Sequence, residues 1–265
     1  MAPIVTLLTD FGLGDPFVGI MKGVILGRAP GARIVDLTHG IPPQDVRAAA
    51  YWLARSYRWF PEGTVHVAVV DPGVGSDRAA IVARAHGHTF VAPDNGLLWD
   101  VLAREPHAEV RRIDPPALGL VVASHTFHGR DVFAPVGAEL ASGRLDFDRV
   151  GPTLANPVAA EWAAPERDGD VVRGRIVCCD HFGNLISDID RALVVDLGDV
   201  RVSIAGRDLR LHRTYADVAP GAALALINAF DSLEIAVRDG DAAATLGVKP
   251  GAAVEVRGAR APGRV

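Results

Sequence analysis

Acids, bases and amides in this chain gather just behind short apolar runs. Asp10 follows Ile4-Val5-Thr6-Leu7-Leu8, Thr38-His39 follows Arg33 to Leu37, and Asp71 follows Thr64 to Val70. Pro93-Asp94-Asn95-Gly96 closes a further strand-like run, and Thr126-Phe127-His128 precedes Gly129-Arg130-Asp131 at a helix start. One Asp at a strand end is an ordinary turn former or helix cap. Five polar strand ends in one chain point toward a shared site. Asp, Arg and His near one another could hold a water and share its proton, because Arg keeps the Asp ionised and His relays a proton near neutral pH. His125 and His128 are three apart, so an extended segment would aim at most one of them at a crevice; His128, at the helix entry, is the better placed.

Asp71-Pro72-Gly73-Val74-Gly75-Ser76-Asp77-Arg78 is the densest polar segment. It is no P-loop, since Gly-Lys-Ser/Thr does not follow, and Gly12-Leu13-Gly14-Asp15 lacks the third glycine of a dinucleotide fingerprint. Asp10-Phe11-Gly12 copies three letters of a kinase motif without the Gly-rich loop that should precede it. Further on, Asp180-His181-Phe182-Gly183-Asn184 offers an acid, an aromatic face and an amide. These suit a purine through stacking and edge hydrogen bonds, and an ordinary polar hairpin turn is the plain alternative. Adjacent Cys178 and Cys179 make neither a disulfide framework nor a zinc site and read as buried thiols on a strand.

The elements that must position these residues change character along the chain. Strand-like runs alternate with helix-like stretches over 17–26, 44–60, 97–103 and from His128 to about Ala141. That alternation predicts an N-terminal, mostly parallel α/β sandwich over residues 1–151, with ligands expected beyond the carboxyl ends of the strands. Residues 152–169 are Pro-rich and aperiodic and read as a linker. Over 170–265 strand-like pieces follow one another with Gly, Asp and Pro turns, which predicts a smaller all-β, barrel-like C-terminal domain.

Composition narrows the class. The 265 residues are 49% hydrophobic and 22% charged, which suits a packed core and excludes disorder. Formal charge is −5, from 27 Lys+Arg against 32 Asp+Glu, with Lys22 and Lys249 the sole lysines. The scattered charges offer no basic face for nucleic acid, and no apolar run approaches the ~20 residues of a membrane helix. No basic region precedes an apolar stretch at the start. A cytoplasmic globular protein is expected, without nucleic-acid or membrane partners.

Taken in order, Leu8-Thr9-Asp10-Phe11-Gly12, Phe17-Val18-Gly19-Ile20-Met21-Lys22-Gly23, Val70-Asp71-Pro72-Gly73-Val74-Gly75, Pro93-Asp94-Asn95-Gly96-Leu97-Leu98, Thr126-Phe127-His128-Gly129-Arg130-Asp131 and Phe182-Gly183-Asn184 form a recognisable set. Together they resemble the S-adenosyl-L-methionine hydrolases (hydroxide adenosyltransferases), relatives of the bacterial fluorinase and chlorinase. The resemblance runs from Ile4 to about Gly251 and implies an α/β domain joined to a β-barrel-like one. It implies that water attacks C5′ of the adenosyl group and releases adenosine and L-methionine, with Asp71, Arg78 and His128 as the water-activating triad. It places Asp10 on the ribose hydroxyls and Phe127 beside them. Asp180 would meet the methionine ammonium, and Phe182, Asn184 and Tyr215 would enclose the adenine. Glu234 is a candidate methionine contact, and Val237 a source of backbone groups for the base. The resemblance further implies a homotrimer with sites between subunits, S-adenosyl-L-methionine as substrate, no cofactor and no metal. Ala229 stands where the family often has a hydroxyl residue, with Ser232 the candidate replacement, and Ser187-Asp188-Ile189 stands where Thr-Asn-Ile is usual.

Three other readings use the same residues. A halogenase of this family would want a desolvated halide pocket in place of a proton-handling triad. By the resemblance, halogenases lack the His-Gly pair and replace the Asp71 position. A metal-dependent phosphoesterase could draw on Asp10, Asp71, Asp94, Asn95 and His128, but Arg78 beside them would repel the cation. A non-catalytic binder of S-adenosylmethionine or a nucleoside would have no use for an intact triad.

Overall fold

The computed structural model describes residues 2–260, in two compact units that divide between Glu161 and Trp162. In the first, β1 (Ile4–Thr9), β2 (Arg33–Thr38), β3 (Val65–Val69), β4 (Ala80–Ala85), β5 (His88–Pro93) and β6 (Glu109–Arg112) form one six-stranded sheet in the order β2-β1-β3-β5-β4-β6. The β1–β2, β1–β3 and β3–β5 pairs are parallel, whereas β4 runs antiparallel to β5 and β6. Parallel neighbours need crossover connections; α1 (Phe17–Arg28) and α2 (Val46–Ser56) supply the first two. Asp45 caps α2 by accepting the Ala48 amide at 2.9 Å. The helix expected over 44–60 is therefore shorter and ends in a tighter turn over Tyr57–Trp59.

This topology sets the chemistry. Because β1, β3 and β5 run the same way, Asp10, Asp71 and Asp94 all leave the sheet at one edge. Because β4 returns antiparallel with Ala80 opposite Pro93, Arg78 reaches that same edge from the other direction. The helix expected after His128 begins as a wide turn over Gly129–Phe133 and continues as α4 (Ala134–Ala141). Val5, Leu7, Met21, Ile25, Val67, Phe133 and Val136 are among the buried residues of the core between sheet and helices. Near the opposite ends of the strands lies a buried polar chain. Thr6 Oγ1 is 2.8 Å from His66 Nδ1, and His66 Nε2 is 3.2 Å from His88 Nδ1. Burial drives His66 down to a pKa of about 3 and lowers His88 as well.

The expected linker over 152–169 is not a free tether. The Arg112 amide donates to the Pro152 carbonyl at 2.9 Å and the Leu154 amide to Val110 at 2.8 Å, which completes the open side of β6. Past Trp162, β7 (Glu166–Asp168) already pairs with the barrel strand β8 (Val171–Cys179). Of the two thiols that end β8, Cys178 is buried as expected and Cys179, on the opposite face, is exposed.

The second unit adds β9 (Leu185–Asp190), β10 (Leu197–Ile204), β11 (Arg207–His212), β12 (Ala223–Ile227), β13 (Ser232–Val237) and β14 (Ala253–Arg260), with a short α5 (Ala242–Leu246). Pairing runs β14-β10-β11-β12-β13-β9-β8, and β14 pairs back onto β8, so seven strands close into a barrel with β7 attached outside the ring. Alternate residues Leu233, Ile235 and Val237 of β13 pack inward with Val172, Ile176, Leu185, Val202, Val254 and Val256. No described helix is long and apolar enough to cross a membrane.

Candidate active site

The carboxyl edge of the first sheet opens into a cavity of about 390 Å³, with Asp10, Phe11, Phe17, Gln44, Asp71, Phe127 and His128 among its lining residues. Asp71 leaves β3 and Arg78 enters β4, and their side chains are 5% and 8% exposed. Arg78 Nη2 donates to Asp71 Oδ2 and stands 3.2 Å from His128 Nδ1, while Nη1 donates to the Ala79 carbonyl at 3.0 Å. The Arg78 guanidinium also lies 5.4 Å from the Phe133 ring centroid. The turn joining Asp71 to Arg78 depends on Gly75. Its φ is +80°, and a Cβ there would come within 2.8 Å of the His125 carbonyl oxygen. His125 itself is exposed, so His128 alone of that pair joins the cluster.

Burial raises the Asp71 carboxyl above its usual range, against the opposing pull of Arg78 and His128. Burial lowers His128, and Arg78 lowers it further, against Asp71 and Asp131. Two buried atoms of the cluster have no hydrogen-bond partner among the described residues: Asp71 Oδ1 and Arg78 Nε. The Gly73 amide favours the Asp71 anion without closing a hydrogen bond on Oδ1.

The loop after β1 is pinned from beneath. Thr9 Oγ1 accepts the Phe11 amide at 3.2 Å and lies 2.8 Å from His39 Nδ1. His39 Nε2 stands 3.0 Å from Asp36 Oδ1, a close electrostatic contact outside hydrogen-bond geometry, and Asp36 Oδ2 accepts Lys22 Nζ at 2.6 Å. The Gly12 amide donates to the His39 carbonyl at 2.8 Å. Asp10 Oδ2 accepts the Gln44 amide at 2.8 Å, with Gln44 held at φ 67°. Phe11, Phe17 and Phe127 meet edge-to-face at centroid distances of 6.0, 6.1 and 5.3 Å and form an apolar wall. Neither the aromatic wall, nor Gln44, nor the structural work of Thr9 and His39 follows from strand-end reasoning. As a polar strand end His39 gives no sign of that work, and the left-handed backbone at Gln44 has no sequence signature.

The phosphoesterase ligand set does not converge. Asp94 accepts the Val158 amide at 2.8 Å, Asn95 donates to the Val70 carbonyl at 2.9 Å, and Asp71 is held by Arg78. Among the described residues no three His, Cys, Asp or Glu side chains are arranged to hold a metal.

In the second unit Asp180 organises its turn. Its Oδ1 accepts the Phe182 and Asn184 amides, both at 2.9 Å, and its Oδ2 accepts Asn184 Nδ2 at 3.0 Å. Gly183, at φ +83°, lets this turn press against Asp241, since a Cβ would fall 2.2 Å from the Asp241 Cγ. Phe182 projects outward, 74% exposed. Tyr215 donates to Glu234 Oε1 at 2.6 Å and Asn228 Nδ2 donates to Glu234 Oε2 at 3.2 Å. Burial raises both Glu234 and Tyr215, and the charge of Asp180 adds to each shift.

Ser232 and Glu234 share one face of β13, and Val237 lies on the other, inside the barrel core. Ser232 is fully buried, and the Val237 carbonyl accepts the Gly240 amide at 3.1 Å. Asn228, at the start of the stretch 228–243 that resembles the family's last ligand-binding segment, joins this network, and its Oδ1 accepts the Phe230 and Ser232 amides at 2.9 and 3.1 Å. A groove of about 520 Å³ elsewhere on the barrel, beside Arg173, Arg175 and Asp188, is lined by none of the candidate residues. Its Arg173 is paired with Glu255 at 2.9 Å.

Comparison with known proteins gives this geometry its context. Residues 5–151 match the SAM hydroxide adenosyltransferase N-terminal domain and residues 174–255 its C-terminal domain. The chain is 41% identical to the (R)-S-adenosyl-L-methionine hydrolase of Thermus thermophilus, covering 95% of this chain and 98% of that one. It is 30% identical to the fluorinase of Nocardia brasiliensis, over 96% of this chain and 97% of the relative. The crystal structure of an uncharacterised conserved protein from Thermotoga maritima superposes with a TM-score of 0.88 at 38% identity, covering 96% and 99% of the two chains. The chain belongs to the SAM hydroxide adenosyltransferase family.

Proposed function

We propose that this protein hydrolyses S-adenosyl-L-methionine to adenosine and L-methionine by in-line attack of water on C5′. The observation that carries the reading is the Asp71–Arg78–His128 cluster, its Asp71 and Arg78 side chains buried, on a cavity that also presents Asp10 and an aromatic wall. The similarity to hydrolases at about 40% identity over nearly the whole chain supports it. The sulfonium is already a good leaving group, so catalysis asks mainly for orientation and a more nucleophilic oxygen. Asp10 suits a ribose diol, because its carboxylate can accept two hydrogen bonds. Phe127 packs beside the sugar. Asp180 suits an ammonium, and Phe182, Asn184 and Tyr215 suit an adenine face and edge. In the active form, a homotrimer, neighbouring copies share each substrate; sedimentation equilibrium tests that part separately.

The test is chromatography of S-adenosyl-L-methionine incubated with pure protein and EDTA, with and without halide, each sulfonium epimer being assayed alone. Adenosine and methionine in equal amounts without halide are expected. A halogenated nucleoside appearing only with halide would replace hydrolysis by halogen transfer. Loss of turnover with EDTA would replace it by metal catalysis. Intact substrate together with calorimetric binding would reduce the protein to a binder.

A further inference from the structure

We infer that Asp71 Oδ1 is the atom that takes the proton from the attacking water, and that His128 stays neutral throughout, with its hydrogen on Nε2. This assignment rests on the hydrolase reading above and divides the work within its triad.

A guanidinium carries donors and no acceptor. Arg78 Nη2 faces His128 Nδ1 at 3.2 Å, so Nδ1 must present its lone pair to that N–H. The hydrogen of the neutral ring then sits on Nε2. Such a ring has one lone pair, and Arg78 occupies it. Protonating His128 would set an N–H against an N–H, so the contact with Arg78 opposes the imidazolium. Neutral His128 can therefore donate a hydrogen bond to the water oxygen, and it is badly placed to receive a proton.

Asp71 is the complement. Its Oδ2 accepts from Arg78, while Oδ1 is buried, lacks a partner among the described residues, and belongs to a carboxyl on the cavity wall. The titratable and charged groups facing it are Arg78, at the entry to β4, and His128, ahead of α4. Those facing His128 are Arg78, Asp71, Asp131 and His125. Burial raises Asp71 and lowers His128, so each group shifts in the direction its part requires.

The step balances. The water oxygen forms a bond to C5′, the C5′–S bond breaks with its electron pair passing to sulfur, and methionine leaves as a neutral thioether. One water proton passes to Asp71 Oδ1, which returns it to solvent after the products depart. Arg78 keeps its charge and holds both partners in place.

Two measurements test the assignment. Nitrogen-15 NMR of histidine-labelled wild-type protein, with the His128 signals assigned through His128→Asn, is expected to show bare Nδ1 and protonated Nε2 at neutral pH. A hydrogen on Nδ1 would overturn the inference. The second is kcat against pH for wild type, His128→Asn and Asp71→Asn. The acid limb of the profile is expected to survive in His128→Asn at a rate about tenfold lower. In Asp71→Asn the limb should vanish, with kcat lowered by about 10²–10⁴-fold. A limb that persists in Asp71→Asn, or vanishes in His128→Asn, overturns the assignment. Wild-type protein that yields no adenosine at any pH would instead overturn the hydrolase reading, and the NMR result would still report the tautomer.

Discussion

The two units handle buried polar groups in opposite ways. At the sheet edge of the first, Asp71 Oδ1 and Arg78 Nε are buried and unmatched, and Asp71 is pushed toward neutrality. On the barrel, Asp180 and Glu234 have both carboxylate oxygens occupied by donors from their own unit. Leaving a polar atom unmatched in a buried place is costly, so folds tolerate it where a ligand or a reaction will use it. Saturated networks do a different job: they fix shape. The contrast matches the proposed roles, with the bond-making triad in the first unit and the network proposed to hold the methionine and adenine ends in the second, and it can be broken experimentally.

The largest effect should come from Arg78→Met. It leaves the Asp71 carboxylate buried and unpaired, which is expected to cost ~3–5 kcal/mol of stability and to abolish turnover. Urea denaturation beside an adenosine assay checks both. Unchanged stability would mean that the pair contributes little to the fold.

Next comes Asp180→Ala, which strips the acceptor from the Phe182 and Asn184 amides and from the Asn184 side chain. Affinity for S-adenosylmethionine by calorimetry should fall by ~10–100-fold, equivalent to ~1–3 kcal/mol, with kcat held within a few-fold. An equal fall in kcat would erase the division of labour.

A double-mutant cycle of Glu234→Gln with Tyr215→Phe should show coupling of ~1 kcal/mol in ligand binding, because the two act through one hydrogen bond. Strict additivity would detach Tyr215 from Glu234.

The effect that is smallest at neutral pH is on stability, far from either cluster. His66 has a folded pKa of about 3, below its ordinary value near 6.5. Its contribution is therefore fully present above 6.5 and is lost as pH falls toward 3, at up to ~1.4 kcal/mol per pH unit. His66→Leu should flatten that acid slope in thermal melts; an unaltered slope would place the acid sensitivity elsewhere.

Much of this was legible beforehand because two signals are strong locally. Ile4 to Leu8 and Thr64 to Val70 are apolar runs that stop at an acid, and α/β topology sends such ends to one edge. For Arg78, which the resemblance names, topology adds the reason it joins Asp71: β4 reverses against β5. The strands β6 and β11 are hard to read, since Glu109-Val110-Arg111-Arg112 and Arg207-Asp208-Leu209-Arg210 carry too few apolar residues to show a period of two. The aperiodic stretch at 152–169 read as a linker because its hydrogen bonds go to distant residues, Val110 and Arg112 among them, which no local pattern discloses. Likewise, Glu234 reads as a ligand contact from sequence, and only coordinates reveal that Tyr215 and Asn228 already occupy its oxygens.

The chain under the Asp10 loop, from Lys22 through Asp36 and His39 to Thr9, has a practical consequence. Lys22 and Lys249 are the two lysine amines of the whole sequence, and Lys249 is exposed in the barrel unit whereas Lys22 is engaged with Asp36. Acylating reagents are therefore expected to modify Lys22 more slowly than Lys249. The slower modification of Lys22 would serve as a single-residue chemical gauge of how firmly Lys22 is held to Asp36, readable by mass spectrometry.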